Sequence, residues 1–515
     1  MANKIVAGPI LGFRGAGEGK WQTSALLVSQ GDDTKPELNF GAKETRAEAV
    51  TLLKTLGDRS VWRIEWSVDQ TEAEQLVDYS VNGGPKIRYV VPQADKPLRI
   101  VYGSCFGFSS LNAMNKVQDK NAMWTVLKKK QEGAAPGDRP YHLMMMGGDQ
   151  VYADSIWETV PSLKAWTDRS KKERFDEPFT DEMDRQVENF YFDLYCQRWT
   201  QEVPASVLSQ IPTIMMWDDH DVFDGWGSYP ANQTTSQVYQ GIYRRAREHF
   251  RLFQLQARDD NDLGKRTLFG ERGFSYGYRF GKLGILALDM RSERTQDRVM
   301  SPETWESVYK WMSDEFPKRD PKQPPTGEHL IVMSSIPVVY VNSNMLEDVF
   351  GWIPGQQDLE DDFKDQWVSR THMEERLRLI HRMLLFSKET GCRVTLVSGD
   401  VHVAALGYIE SERDPQYDEA NVVNQLISSA VNHPPPAGIV IYMMEKVMGD
   451  KVEVVDRGIT ARMSKFPGSS QRFLGKRNWL SLTFDDQHRI WGEWYVEGED
   501  KPYTKVIHPV GALSS

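Results

Sequence analysis

Five short apolar runs in this chain each stop on a cluster of glycine, serine, cysteine, aspartate or histidine: LRIVYGSC (98–105), HLMMMGGDQVY (142–152), TIMMWDDHD (213–221), GILALDMRSER (284–294) and RVTLVSGDVH (393–402). Apolar runs this short, bounded by turn-forming residues, read as strands buried on both faces rather than as helices. Charge-rich, helix-compatible segments separate them. Among these are residues 168–199 and MEERLRLIHRMLLFSKETG (373–391), which is apolar at helical spacing and closed by Gly391. Strands interleaved with helices imply an α/β core, in which ligands bind beyond the carboxyl ends of the strands. The polar clusters fall at those ends.

The first hundred residues break this pattern. WQTSALLVSQG (21–31), SVWRIEWSVDQ (60–70) and KIRYVVPQ (86–93) are short β-rich pieces, and TRAEAVTLLKTL (45–56) between them reads as a helix. We therefore expect a β-rich N-terminal domain over 1–97 and the α/β domain over 98–515, since 515 residues exceed one ordinary core. NWLSLTFDDQHRIWGEWYV (478–496) reads as a hairpin forming the last piece of the core sheet.

Charge and hydropathy narrow the classes of function. With 62 basic and 73 acidic residues the net charge is −11, which opposes nonspecific attachment to nucleic acid or anionic membranes. Lys128, Lys129 and Lys130 read as a solvated helix end. Cys105, Cys196 and Cys392 are an odd, scattered set, so no disulfide framework is expected. The N-terminal residues carry no sustained apolar segment or twin arginine. No run approaches the roughly 20 apolar residues of a spanning helix; AGIVIYMM (437–444) comes nearest. A soluble, cytoplasmic protein is the expectation.

One aspartate at a strand end is ordinary turn chemistry. Here Cys105 offers a thiolate, Asp149 a carboxylate, Tyr152 a phenolate, Asp219 and His220 a carboxylate and an imidazole, and Asp400 and His402 another such pair. Crowded carboxylates repel one another, and bound cations reverse the sign of that energy. Mixed oxygen, nitrogen and sulfur donors suit a pair of cations of which at least one is a transition metal.

GGDQVY (147–152), WDDHD (217–221), LDMRSER (288–294) and SGDVH (398–402), in this order and spacing, resemble the PhoD-like (alkaline phosphatase D-like) branch of the calcineurin-type metallophosphoesterases. The resemblance runs from about Leu98 to near the C-terminus. It implies a four-layer α/β/β/α core with a dinuclear centre at one edge, and the β-rich N-terminal part resembles the small sandwich domain that precedes such cores. It further implies that Asp149 bridges both metals and that Tyr152 matches a phenolate that binds ferric iron in purple-acid-phosphatase-like members. Cys105, Asp149, Tyr152 and His402 then go to one metal, and Asp149, Asp219 and Asp400 to the other. His220 matches the histidine that approaches the phosphate or the leaving group, and Arg291 and Arg294 match arginines near the site.

The superfamily's further metal-binding histidine is replaced here by Ser334 and Ser335 after HLIVM (329–333), which leaves the second position richer in oxygen. Iron(III) with calcium, or manganese, magnesium or zinc, are the cations implied. The expected activity is hydrolysis of a small-molecule, lipid or nucleotide phosphoester, in which a metal-bound hydroxide attacks in line and His220 protonates the departing oxygen. The alternative is a catalytically weak, metal-containing binding or regulatory protein on the same fold.

Asp365 and Trp367 resemble the family's Asp-x-Trp block. Asn432 and His433 could border the site, Asp154, Glu158, Asp218 and Asp221 read as supports or surface groups, and Cys196, Cys392, His372 and His381 as ordinary structural residues.

Overall fold

A computed structural model describes residues 4–31, 34–42, 45–170, 174–266, 273–340, 372–399, 402–413, 420–448 and 451–511. The five apolar runs are strands, and each stops where its polar cluster begins. Arg99–Gly103, Leu143–Gly147 and Thr213–Met216 lie side by side and parallel in a ten-stranded sheet. Leu283–Leu288, His329–Ser334, Arg393–Ser398 and Val422–Ile427 are parallel neighbours in a nine-stranded sheet. Every residue of Arg99–Gly103, Leu143–Gly147 and Leu283–Leu288 is buried, as strands covered on both faces must be.

The two sheets pack face to face between outer layers of helix. Ile285, Ala287, Ile331 and Met333 join the core that also holds Ile214, Met215, Leu480 and Trp494 of the first sheet. Their alternates Leu286, Leu288, Leu330 and Val332 turn outward and meet Trp305, Val308, Leu379 and Met383 of helices Pro302–Glu315 and Met373–Thr390. Burying each such side chain contributes about 1.5–3 kcal/mol. Polar ties cross between the sheets as well: Tyr276 Oη donates to Met215 O at 2.6 Å and Trp494 Nε1 to Ile427 O at 2.9 Å. On the outer side of the first sheet, Leu127, Tyr191 and Ile242 place helices Ala122–Gln131, Asp181–Trp199 and Gln237–His249 in the same core.

Helix ends follow local chemistry. Thr180 Oγ1 accepts the Met183 N–H at 3.2 Å where Asp181–Trp199 starts, satisfying one of the free amides of a first turn. Gly391, at φ 74°, closes Met373–Thr390 in the left-handed conformation.

Segment 45–56 is not a helix: Ala49–Leu56 is a strand, joined to Arg59–Asp69 by the tight turn at Gly57 and Asp58. Its helix-forming residues are overridden by pairing, because as a strand it buries Leu53 and extends Lys54 to Glu188. Lys4–Gly17, Lys20–Gln30, Arg59–Asp69 and Ala49–Leu56 extend the first sheet beyond Thr213–Met216, and Leu38–Phe40, Gln75–Val81 and Ile87–Val91 form a separate three-stranded sheet. At the other edge the hairpin of 478–496 pairs with Arg99–Gly103, and one further strand, Tyr503–Ile507, follows it as the edge. Among the described residues, no helix is long and apolar enough to cross a membrane.

Candidate metal centre

Cys105, Tyr152 and His402 each come just after a strand or its polar cluster, and all three have left-handed backbone, with φ of 55°, 55° and 53°. Residues with side chains seldom adopt this conformation, and it recurs where a fold aims a side chain against local preference. Two glycines make the convergence possible. A Cβ on Gly107 would lie 2.5 Å from Cδ2 of Tyr152, and one on Gly399 would lie 1.9 Å from Oγ of Ser104.

The side chains meet in two groups. Donor atoms of Cys105, Asp149 and His402 lie within 4.8 Å of one another, as do those of Asp149, Asp219 and His220, so Asp149 belongs to both. Cys105 Sγ is 3.6 Å from Asp149 Oδ2, and Tyr152 Oη is 3.3 Å from His402 Nε2. Asp149 is 2 % exposed, and its Oδ1 has no hydrogen-bond partner among the described residues. Stacked rings line the group: Tyr152 on His220 at 4.7 Å and His402 on His433 at 3.9 Å.

The electrostatics are those of a buried acidic cluster. Burial, then the charges of Asp219, Asp218 and Asp221, push the Asp149 carboxyl well above its usual range against the pull of His220. Burial and the neighbouring Asp149 push the Cys105 thiol and the Tyr152 phenol up, and burial with His433 and His220 drives His402 down. Asp219 differs: burial raises it, yet the Arg291 guanidinium, His220 and the Gly225 N–H together hold it below the ordinary value. Burial opposes charge on His220, but Asp154, Asp149 and Asp219 hold it well above the usual imidazole range.

An orphaned carboxylate oxygen, a thiol, a phenol and an imidazole within coordination reach fit a cation of borderline softness. The oxygen-rich second group fits a harder one. The residues present therefore suit the two-metal centre.

The remaining acids of DDHD have separate tasks. Asp221 accepts the N–H groups of Gln150 and Val151 at 2.8 and 2.7 Å, fixing the loop that carries Asp149 and Tyr152; burial lifts its carboxyl to about 7. Asp218 is bonded to Arg291 Nε, and Arg291 Nη2 lies 3.2 Å from Asp219. The Arg291 side chain is fully buried, behind Asp219. Arg294 is also buried, with Nη2 3.3 Å from His372 Nδ1.

Asp154 does more than sequence suggested. Its Oδ1 lies 2.8 Å from His220 Nδ1 and accepts the Asp224 N–H at 2.8 Å. Asp289 accepts from Trp217 Nε1 and the amides of Arg291 and Ser292, each at 3.0 Å, so it ties the DDHD turn to the LDMRSER turn. Ser429 Oγ lies 3.2 Å from Cys105 Sγ and accepts the His402 N–H at 3.2 Å. Its only sequence signal was a small polar residue at a strand end.

Asn432 spends its side chain on Trp124 and Lys120, while His433 faces His402. Ser334 donates to Ile336 O at 2.5 Å, and the Ser335 carbonyl accepts the Gly399 N–H. His381 pairs with Asp456 at 2.9 Å, away from the centre. Asp365, Trp367 and Asp400 lie outside the described residues.

Known proteins are similar to this chain in sequence and in fold. An uncharacterized protein of Saccharomyces cerevisiae is 25% identical over 579 residues, covering 93% of this chain and 81% of the relative. The solved structure of PhoD superposes with a TM-score of 0.53 over 98% of this chain and 90% of that one, at 11% identity, a likeness of fold. A purple acid phosphatase from yellow lupin (Lupinus luteus) seeds aligns over 97% of this chain and 74% of that one at 12% identity, with a TM-score of 0.49. The sequence matches the PhoD related phosphatase family over residues 79–353 and 342–464, three quarters of its length, and the chain belongs to that family.

Proposed function

We propose that this chain hydrolyses phosphate esters at the centre built on Asp149. Cys105, Asp149, Tyr152 and His402 would hold one cation, and Asp149 and Asp219, with Asp400 as the sequence motif implies, would hold the other. Iron(III) and calcium, or manganese, magnesium or zinc, suit these donors. When bound, such a pair supplies charge neutralisation for the phosphoryl group and lowers the pKa of water.

The protein's own groups supply the rest. Asp149, common to both donor groups, would tie the two positions together. Asp154, bonded to His220 Nδ1, orients the ring and leaves Nε2 as the nitrogen that holds a proton for the departing alkoxide. Arg291 lies against both Asp218 and Asp219 and opposes the effect of burial on each, holding Asp219 below the ordinary carboxylate value. The buried walls around Tyr152 and His402 exclude bulk water and strengthen each of these interactions.

The observation that carries this reading is the sharing of Asp149 by two donor groups, with one of its carboxylate oxygens unpartnered among the described residues. The test is metal analysis of the purified full chain together with hydrolysis of p-nitrophenyl phosphate and bis-p-nitrophenyl phosphate. His220→Ala should lower turnover by about 10²–10⁴-fold with metal retained. Full metal loading with no hydrolysis of either ester would favour a binding or regulatory role instead.

A further inference from the structure

One hydroxyl just beyond the strand Val422–Ile427 touches two residues of the first donor group at once. Ser429 Oγ lies 3.2 Å from Cys105 Sγ and accepts the His402 N–H at 3.2 Å. Cys105 follows Arg99–Gly103 of the ten-stranded sheet, and His402 follows Arg393–Ser398 of the nine-stranded one. A single serine therefore links what three strand ends deliver.

The backbone holds that serine in place. The Val431 N–H is donated to Ser104 O at 2.9 Å and the Asn432 N–H to Cys105 O at 3.1 Å, so the segment carrying Ser429 runs along the segment carrying Cys105. The Ser429 carbonyl accepts from Asn478 Nδ2 at 2.8 Å, which fastens it to the strand Asn478–Phe484. Ser429 is 0% exposed, so bulk water does not compete for its hydroxyl.

Donor and acceptor roles follow from the hydrogens each group has to give. A sulfur that binds a cation has lost its hydrogen and can only accept. Ser429 has one hydrogen, its oxygen already accepts from His402, and the sulfur is its other neighbour. Ser104 Oγ is also near, 3.4 Å from the sulfur, but donates at 3.2 Å to the carbonyl of Ser428, an atom that can only accept. Asp149 Oδ2, at 3.6 Å, and Tyr152 belong to the proposed ligand set and carry no hydrogen while they bind a cation. Of these neighbours, Ser429 alone has a hydrogen for the sulfur.

We propose that Ser429 is a positioning residue of the first cation position: its hydroxyl donates to the Cys105 sulfur, drawing charge from it and fixing its direction, while its oxygen anchors the backbone of His402. This rests on Cys105 being a ligand, as in the proposed centre. Hydrogen bonds to a ligating sulfur tune how strongly it gives charge to the metal and how tightly the metal is held.

The test loads the full-length protein with cobalt(II) and follows the sulfur-to-cobalt charge-transfer absorption, which moves to longer wavelength when the sulfur loses a hydrogen bond. Ser429→Ala should move the band that way and weaken cobalt binding at this position about 10–100-fold. Ser429→Gly also lacks the hydroxyl and is read in the same way if Ser429→Ala does not fold. Ser104→Ala should leave the band where it is. A band that keeps its wavelength without the Ser429 hydroxyl overturns the proposal, because a merely structural role changes how much cobalt is held and not the energy of the sulfur electrons. A band moved as far by Ser104→Ala overturns it too. Absence of any such band in the cobalt-loaded, unsubstituted protein overturns Cys105 as a ligand and this inference with it, whereas hydrolysis of p-nitrophenyl phosphate is read separately.

Discussion

The two donor groups share Asp149 and differ in what stands behind them. Around Cys105, Tyr152 and His402, burial drives thiol, phenol and imidazole toward their uncharged forms. Around Asp219, the protein supplies its own positive charge in Arg291 and His220. A cation at the first position meets donors that must first lose protons, so its uptake releases protons and is reinforced by thiolate and phenolate once formed. At the second position a cation competes with a guanidinium already in place. The first position should therefore be the tighter of the two and the second the exchangeable one.

Asp149→Asn tests what the groups have in common and should have the largest effect. Removing the shared carboxylate should empty both positions and lower hydrolysis by more than about 100-fold, the upper end for loss of a mere supporting contact. Metal analysis and circular dichroism of the same sample distinguish this from unfolding. If one cation stayed bound in full, Asp149 would not be the link between the groups.

Cys105→Ser separates them. It should lower metal content at the first position only and reduce hydrolysis about 10–100-fold. Simultaneous loss of both cations would contradict the independence of the two positions. Arg291→Lys addresses the other side, keeping the charge but losing the fork that reaches both Asp218 and Asp219. We expect a stability loss of about 1–3 kcal/mol in the metal-free protein, recovered in part when metal is added. A variant destabilised equally with and without metal would mean that Arg291 serves the fold alone.

The same contrast explains what could be read in the sequence. Strand ends bearing Asp149, Asp219 and His402 were legible because strand, turn and donor lie within ten residues of one another. The division of labour inside DDHD was legible only as crowding. Asp218 is answered by Arg291, 73 residues on, and Asp221 by amides about 70 residues back, and no local pattern encodes such partners. Asp154 is 66 residues from His220, and Ser429 is 324 from Cys105. The strand Ala49–Leu56 was misread for a related reason, since its residues favour a helix until Arg59–Asp69 offers them a partner.

The smallest expected effect on the centre separates acid sensitivity of the metal site from that of its scaffold. Burial lowers His142 to about 4 and His249 and His329 to about 3, below the ordinary value of 6.5. The unfolded chain therefore binds more protons than the folded one between those values. Stability from these groups is complete above about pH 6.5 and is lost as pH falls toward 4. For His249, fully buried and stacked on Tyr191, the loss between pH 7 and pH 5 is about 2 kcal/mol. His249→Phe keeps a ring in that stack and removes the titration, so urea unfolding of the metal-free protein should show that much less acid destabilisation, with phosphoester turnover at neutral pH unchanged. An unaltered acid profile would assign the sensitivity to the donors around Asp149 rather than to the scaffold, and the contrast between the two groups would then have to be measured with metal bound.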